Sequence, residues 1–196
     1  MNTPSHAIIN LFLLGKQSLP QANFSIFLGA ILPDIPIFIF YGWTKLIARQ
    51  SEKQIWSETY YKAFWQNIVA IFHSIPLALL GCFVSDYFKW ESLEILFISL
   101  VLHSLGDLPV HNDDAHRHFF PLSNYRFISP LSYWDRKHHG AIVSFVELSL
   151  VLLATIPVFQ LLHSGIGKTL LILIDVIYLY FFLRSRKGMG SESQVS

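Results

Sequence analysis

Residues 24–43 read FSIFLGAILPDIPIFIFYGW. As a helix, such a run extends about 30 Å, the thickness of a bilayer's hydrocarbon core. One charge interrupts it. Asp34 lies mid-run between Pro33 and Pro36, and a carboxylate at that depth costs on the order of a few kcal/mol unless it is paired or solvated. Proline lacks the N–H of a helical hydrogen bond, so the two prolines predict a local unwinding or kink. Irregular backbone around an acid at membrane depth is tolerated where it lines a cavity. The stretch therefore predicts a membrane helix broken at a polar site.

Composition extends this reading to the whole chain. Of its 196 residues, 53% are hydrophobic and 14% charged, and mean hydropathy is +0.45. A soluble domain carries about 25% charged residues. The net charge of +1 builds no field for a nucleic acid partner. Cys82 is the single cysteine, which excludes an internal disulfide and a cysteine-based zinc site. The N-terminus lacks a basic stretch and a small-residue cleavage signal, and is expected to belong to the mature protein.

Outward from residues 24–43, the chain alternates apolar and polar. Residues 1–15 form a short, half-buried helix, ended by Gly15 and Pro20. Residues 44–62 mix charge with aromatic rings and read as an interfacial segment. Spans follow at 63–83, with His73, and at 93–107, with His103 and Asp107. A polar insert covers 108–139. Two further spans lie at 140–162, with Glu147, and 166–183, with Asp175. The expected architecture is all-α: a polytopic membrane bundle of five or six helices in one domain, 1–184, followed by a disordered polar tail at 185–196. Eleven of the 14 Lys and Arg residues fall in the loop after the first span, the insert and the tail. The excess of positive charge on cytoplasmic loops places those segments in the cytoplasm. Six helices put both termini there; five put the N-terminus outside.

The chemistry is concentrated in the insert and its approach. Of nine histidines, six lie within 103–139. His103 and Asp107, four apart, share one helix face and can hold one metal ion together; the alternative is a capped helix end with a hydrogen-bonded histidine. In the run His111, Asp113, Asp114, His116, His118, two ligands are expected, with His111 and Asp114 first and His118 next. His6, Asp34 and His73 sit alone in apolar segments, where an isolated polar group is more often a satisfied interior residue. Three such segments each bringing one ligand-type group point instead to a shared site. His138, His139 and Glu147 make a second possible group, with Asp135 either in it or an interfacial ion-pair partner. Carboxylates and imidazoles without thiolate suit a divalent ion, zinc or manganese first.

The segments TPSHAIIN, GAILPDIP, FHSIPL and HSLGDLPVH together resemble the bacterial family of inner-membrane-bound metal-dependent hydrolases that includes a LexA-regulated member. The family pattern falls on His6, on Gly29 with Pro33 and Asp34, on His73 with Ser74, and on His103 with Asp107. A more remote likeness is to zinc-dependent phospholipase C, an all-helical class in which His and Asp from several helices share metals. The resemblance implies a hydrolase of the bacterial inner membrane. Asp34, or else Glu147, would then take a proton from a metal-activated water. A site at the bilayer surface beside Arg117, Arg126, Arg136 and Lys137 suits an amphiphile with an anionic head, a lipid phosphoester first. The competing expectation is a metal or proton transporter using the same intramembrane groups. A polar path continuing past Asp34 to the far surface would favour it. Nothing in the sequence indicates an oligomeric state.

Overall fold

Proline places the breaks in the two apolar runs that carry isolated ligand-type groups. The computed structural model describes residues 1–16 and 20–192, with backbone alone at 20 and 185–192. In it, α1 spans Thr3–Leu14 and α2 spans Pro20–Ile31. A single 3-10 turn, Leu32–Asp34, follows, and α3 resumes over Ile35–Gly42. Asp34 stands at the joint, flanked by the two residues that cannot donate to a helical ladder. The chain continues through a wide turn at Trp43–Ile47, the short α4 (Glu52–Gln54) capped by Ser51, and a second wide turn at Ile55–Thr59.

The run 63–83 breaks the same way. Helix α5 (Ala63–Phe72) and helix α6 (Ile75–Tyr87) meet at 43°. His73 and Ser74 form the corner, where the Ser74 hydroxyl accepts from Leu77 N and Pro76 lies in the first turn of α6. The remaining helices are α7 (Glu91–Asp107), α8 (Gly140–Leu161) and α9 (Gly165–Glu192). No strand occurs among the described residues.

Three segments, Gln21–Ile47, Gly140–Leu161 and Gly165–Arg184, are long and apolar enough to cross a membrane, or four if the bent α5–α6 pair counts as one span. This is fewer than the five or six expected. The difference lies in α1, at 12 residues, and α7, at 17 residues, both shorter than the roughly 20 residues a bilayer requires. Helix α9 continues beyond Arg184 to Glu192, into the stretch expected to be a disordered tail; residues 193–196 lie outside the described residues.

Helix α7 is the central element. It packs along α2 and α6, while α1 packs on α2 and α8, and α8 on α9. The α2–α7 approach depends on Gly29, where a Cβ would meet Leu96 O at 2.2 Å and Ser99 Cβ at 2.8 Å. Two apolar cores result. One joins Ile8, Leu11, Ile26, Val151, Val158 and Leu171 across α1, α2, α8 and α9. The other joins Phe40, Ile55, Tyr60 and Val69 across α3, the wide turn and α5. Along Gln21–Ile47, Asp34 falls between Ile26 of the first core and Phe40 of the second.

Candidate metal centre

Helix α7 ends in the site. His103 and Asp107, one turn apart, are both fully buried, and His103 Nε2 lies 3.0 Å from Asp107 Oδ2. The two proline-associated breaks bring the other groups. His73 Nε2 is 3.7 Å from Asp107 Oδ2 and 3.6 Å from Asp34 Oδ1, and His103 Nε2 is also 3.6 Å from Asp34 Oδ1. One ligand atom from each of Asp34, His73, His103 and Asp107 lies within 4.8 Å of all the others.

These separations have the size of a metal's first coordination shell. Bonds of about 2.0–2.2 Å in a tetrahedron give ligand–ligand edges of roughly 3.3–3.6 Å. The four separations of 3.0–3.7 Å bracket that range. Hydrogen bonding does not account for them, because the Nε2 atoms of His73 and His103 are buried without a hydrogen-bond partner. Leaving such a group unsatisfied costs about 1–3 kcal/mol. The opposite ring nitrogens are fixed: His73 Nδ1 donates to Val69 O (3.0 Å) and His103 Nδ1 to Ala30 O (2.6 Å). An outer hydrogen bond at one nitrogen that orients the other is the usual arrangement of a metal-binding histidine. The donor set therefore fits a divalent cation, as imidazole and carboxylate ligands do.

His6 also joins the cluster. It stacks on His103 at 3.7 Å between ring centroids, and its Nε2 is 2.8 Å from Asp107 Oδ1. It contacts the far oxygen of the shared carboxylate and lies outside the four-residue group. Asp34 is held by Thr3, whose hydroxyl donates to Oδ2 at 2.5 Å. At 14% side-chain exposure, Asp34 is the open member of the group.

The insert folds over these residues without forming a long helix. Ile75 N donates to His118 O, Ser129 N to His111 O and Tyr133 N to Val110 O, at 2.9–3.0 Å. The Ser74 hydroxyl donates to Phe120 O. His111 Nε2 reaches Asp107 Oδ1 at 3.1 Å, while its Nδ1 faces Asp114 Oδ2 at 2.9 Å. Asp114 thus stands behind His111. His118 was expected ahead of His116, but it is His116 that is buried with its ring 4.1 Å from His73 and 4.9 Å from His111. Asp107, His111 and His116 form a second close group of ligand atoms. His118 is buried beside them, but its Nδ1 faces His73 O at 3.3 Å, a bracing contact on the corner carrying His73. Burial, reinforced by the neighbouring His73, lowers the pKa of His118 to about 4. Burial also holds His116 well below the usual imidazole range. Both rings are therefore neutral at pH 7.

Other expected participants lie elsewhere. Glu147 Oε1 accepts from Asn2 N (2.9 Å), Asn2 Nδ2 (3.0 Å) and Ser5 Oγ (2.6 Å), so this acid anchors the start of α1. Asp135 caps a short turn and pairs with His138 at 2.7 Å, away from the cluster, and His139 is exposed. Asp175 accepts from Thr155 at 3.0 Å. The basic insert does not present Arg117 and Arg126 as an anion-binding pair. Arg117 donates to Gln66 O, Asn67 and Asn124, and Arg126 to Ala115 O and Gln66. Their role is to fasten the insert to α5.

A cavity of about 620 Å³ opens over the cluster. Asp34, His111 and His116 form its polar floor, and Phe38, Trp56 and Trp134 are among its walls. No family model, curated protein or solved structure matches the chain.

Proposed function

We propose that this protein is a membrane-bound, metal-dependent hydrolase acting on a lipid or other amphiphilic phosphoester. One observation carries the proposal: two buried imidazole nitrogens without hydrogen-bond partners converge with two carboxylates beside a cavity of about 620 Å³. His73, His103 and Asp107 would hold the ion, and His6 contacts the other oxygen of Asp107. A divalent ion there would polarise a phosphoryl group and acidify a bound water. Asp34 borders the cavity and is the least buried of the four. It would take the proton from the attacking water, a role open to a carboxylate within one hydrogen bond of the nucleophile. Glu147 is committed to Asn2 and Ser5 and leaves that role to Asp34.

The cavity's aromatic walls suit the apolar end of an amphiphile. Arg117 and Arg126 are engaged by the polypeptide, so a metal ion would neutralise an anionic head in their place. The apolar spans support a place in the bilayer. Charge distribution puts the insert and C-terminus in the cytoplasm, and we place the protein in the bacterial inner membrane. Transport is the weaker reading because Ile8, Leu11, Ile26, Val158 and Leu171, from the helices around the N-terminal side of Asp34, pack into an apolar core. Asn10 and Ser99, a buried polar pair of α1 and α7, are satisfied internally.

The test is turnover of lipid phosphoesters by manganese- or zinc-loaded protein in mixed micelles, wild type beside Asp34→Asn. The variant is expected to keep its metal and lose about 10²-fold or more in kcat, the usual scale of a proton-transfer group. Metal-loaded wild-type protein that cleaves no phosphoester in a broad lipid panel contradicts the reading.

A further inference from the structure

We infer that the centre is dinuclear, with a second divalent-metal site formed by Asp107, His111 and His116 and Asp107 bridging the two ions. The inference rests on the metal centre proposed above. Its basis is the way Asp107 divides its oxygens. Oδ2 faces His103 and His73, the histidines of the four-residue group. Oδ1 faces the opposite way, toward His111 Nε2 at 3.1 Å and His6 Nε2 at 2.8 Å. A carboxylate that gives one oxygen to each of two imidazole sets is disposed to bridge ions, and paired ions in hydrolytic sites lie about 3.5–4 Å apart.

His111 is arranged the other way round from His73 and His103. Its Nε2 is hydrogen-bonded to the shared carboxylate at 3.1 Å, and its buried Nδ1, without a hydrogen-bond partner, lies 2.9 Å from Asp114 Oδ2. A carboxylate behind a histidine is a common outer support for a metal ligand. His116 completes the set from the cavity side: it is buried, borders the cavity and lies within the compact group of ligand atoms. The second ion faces the cavity more directly than the first, since His111 and His116 border the cavity and His73 and His103 do not. This answers how a cavity whose neighbouring arginines are engaged could receive an anionic phosphoester.

The experiment uses full-length protein in detergent, stripped with chelator, reloaded with Mn²⁺ and desalted. Metal is counted by mass spectrometry, and spin coupling is read by electron paramagnetic resonance. Wild type is expected to hold about two ions per chain with an exchange-coupled signal, as two ions sharing a carboxylate require. His111→Ala/His116→Ala is expected to hold about one ion, uncoupled. The milder His116→Gln, checked for wild-type helicity, is expected to lose the coupled signal and weaken the second equivalent at least about tenfold. One uncoupled ion in wild type, unchanged by these substitutions, overturns the dinuclear centre and leaves the first site standing. A metal-free wild type overturns both.

Discussion

Asp107 is the residue on which the site turns. It is buried, and its two oxygens meet His103, His73, His6 and His111. Its pairing with His103 was legible because four residues is one helical turn, and with His6, Asp34 and His73 each interrupting an apolar run the sequence named most of the cluster. The insert was less legible. Alternating His and Asp residues have no helical period to say which way each points, so the sequence reading ranked His118 next after His111 and Asp114 and passed over His116, the ring that stands in the second close group. Glu147 shows the same limit: an acid in an apolar run signals that it has a partner, but not which. The partners here are Asn2 and Ser5, more than 140 residues away. Glu147→Gln is accordingly expected to keep metal and to change turnover less than tenfold. It should lower stability by about 1–3 kcal/mol, the scale of a buried acceptor left poorly matched, measured by thermal unfolding in detergent. Loss of metal from this variant would return Glu147 to the centre.

Among the elements, the helix breaks were legible and the number of spans was not. Pro33 and Pro36 set the 3-10 turn at Asp34, and Pro76 marks the corner at His73. Length decided the rest: α1 and α7 belong to the bundle, yet neither is long enough to cross a bilayer alone. The insert's basic residues read as a binding surface because charge patterning does not show that an arginine is satisfied by nearby carbonyls. Gly29 links element packing to the site. It lets α2 approach α7 closely enough for Ala30 O to meet His103 Nδ1. Even one methyl group would meet Leu96 O at 2.2 Å, so the helices must separate. Gly29→Ala is expected to cost about 1–3 kcal/mol, as overpacking does, and to weaken metal binding as His103 loses its orientation. Wild-type affinity and stability in this variant would show that the approach is not needed.

At the scale of the whole molecule, two apolar cores accompany one polar centre. Chain segments 100 residues apart in sequence meet there: the start of α1, the breaks at Asp34 and His73, the end of α7 and the insert. Buried imidazole nitrogens without hydrogen-bond partners beside two carboxylates are stabilised when a cation occupies the site, and binding to the native state stabilises the fold by mass action. The most direct test is the metal content of protein purified in detergent without chelator, measured by mass spectrometry for wild type, His103→Ala and Asp107→Ala. The account predicts stoichiometric divalent metal in wild type, the ion of the four-residue group lost in His103→Ala, and nearly all metal lost in Asp107→Ala. A wild type that carries no metal, or variants that keep the full complement, would contradict it.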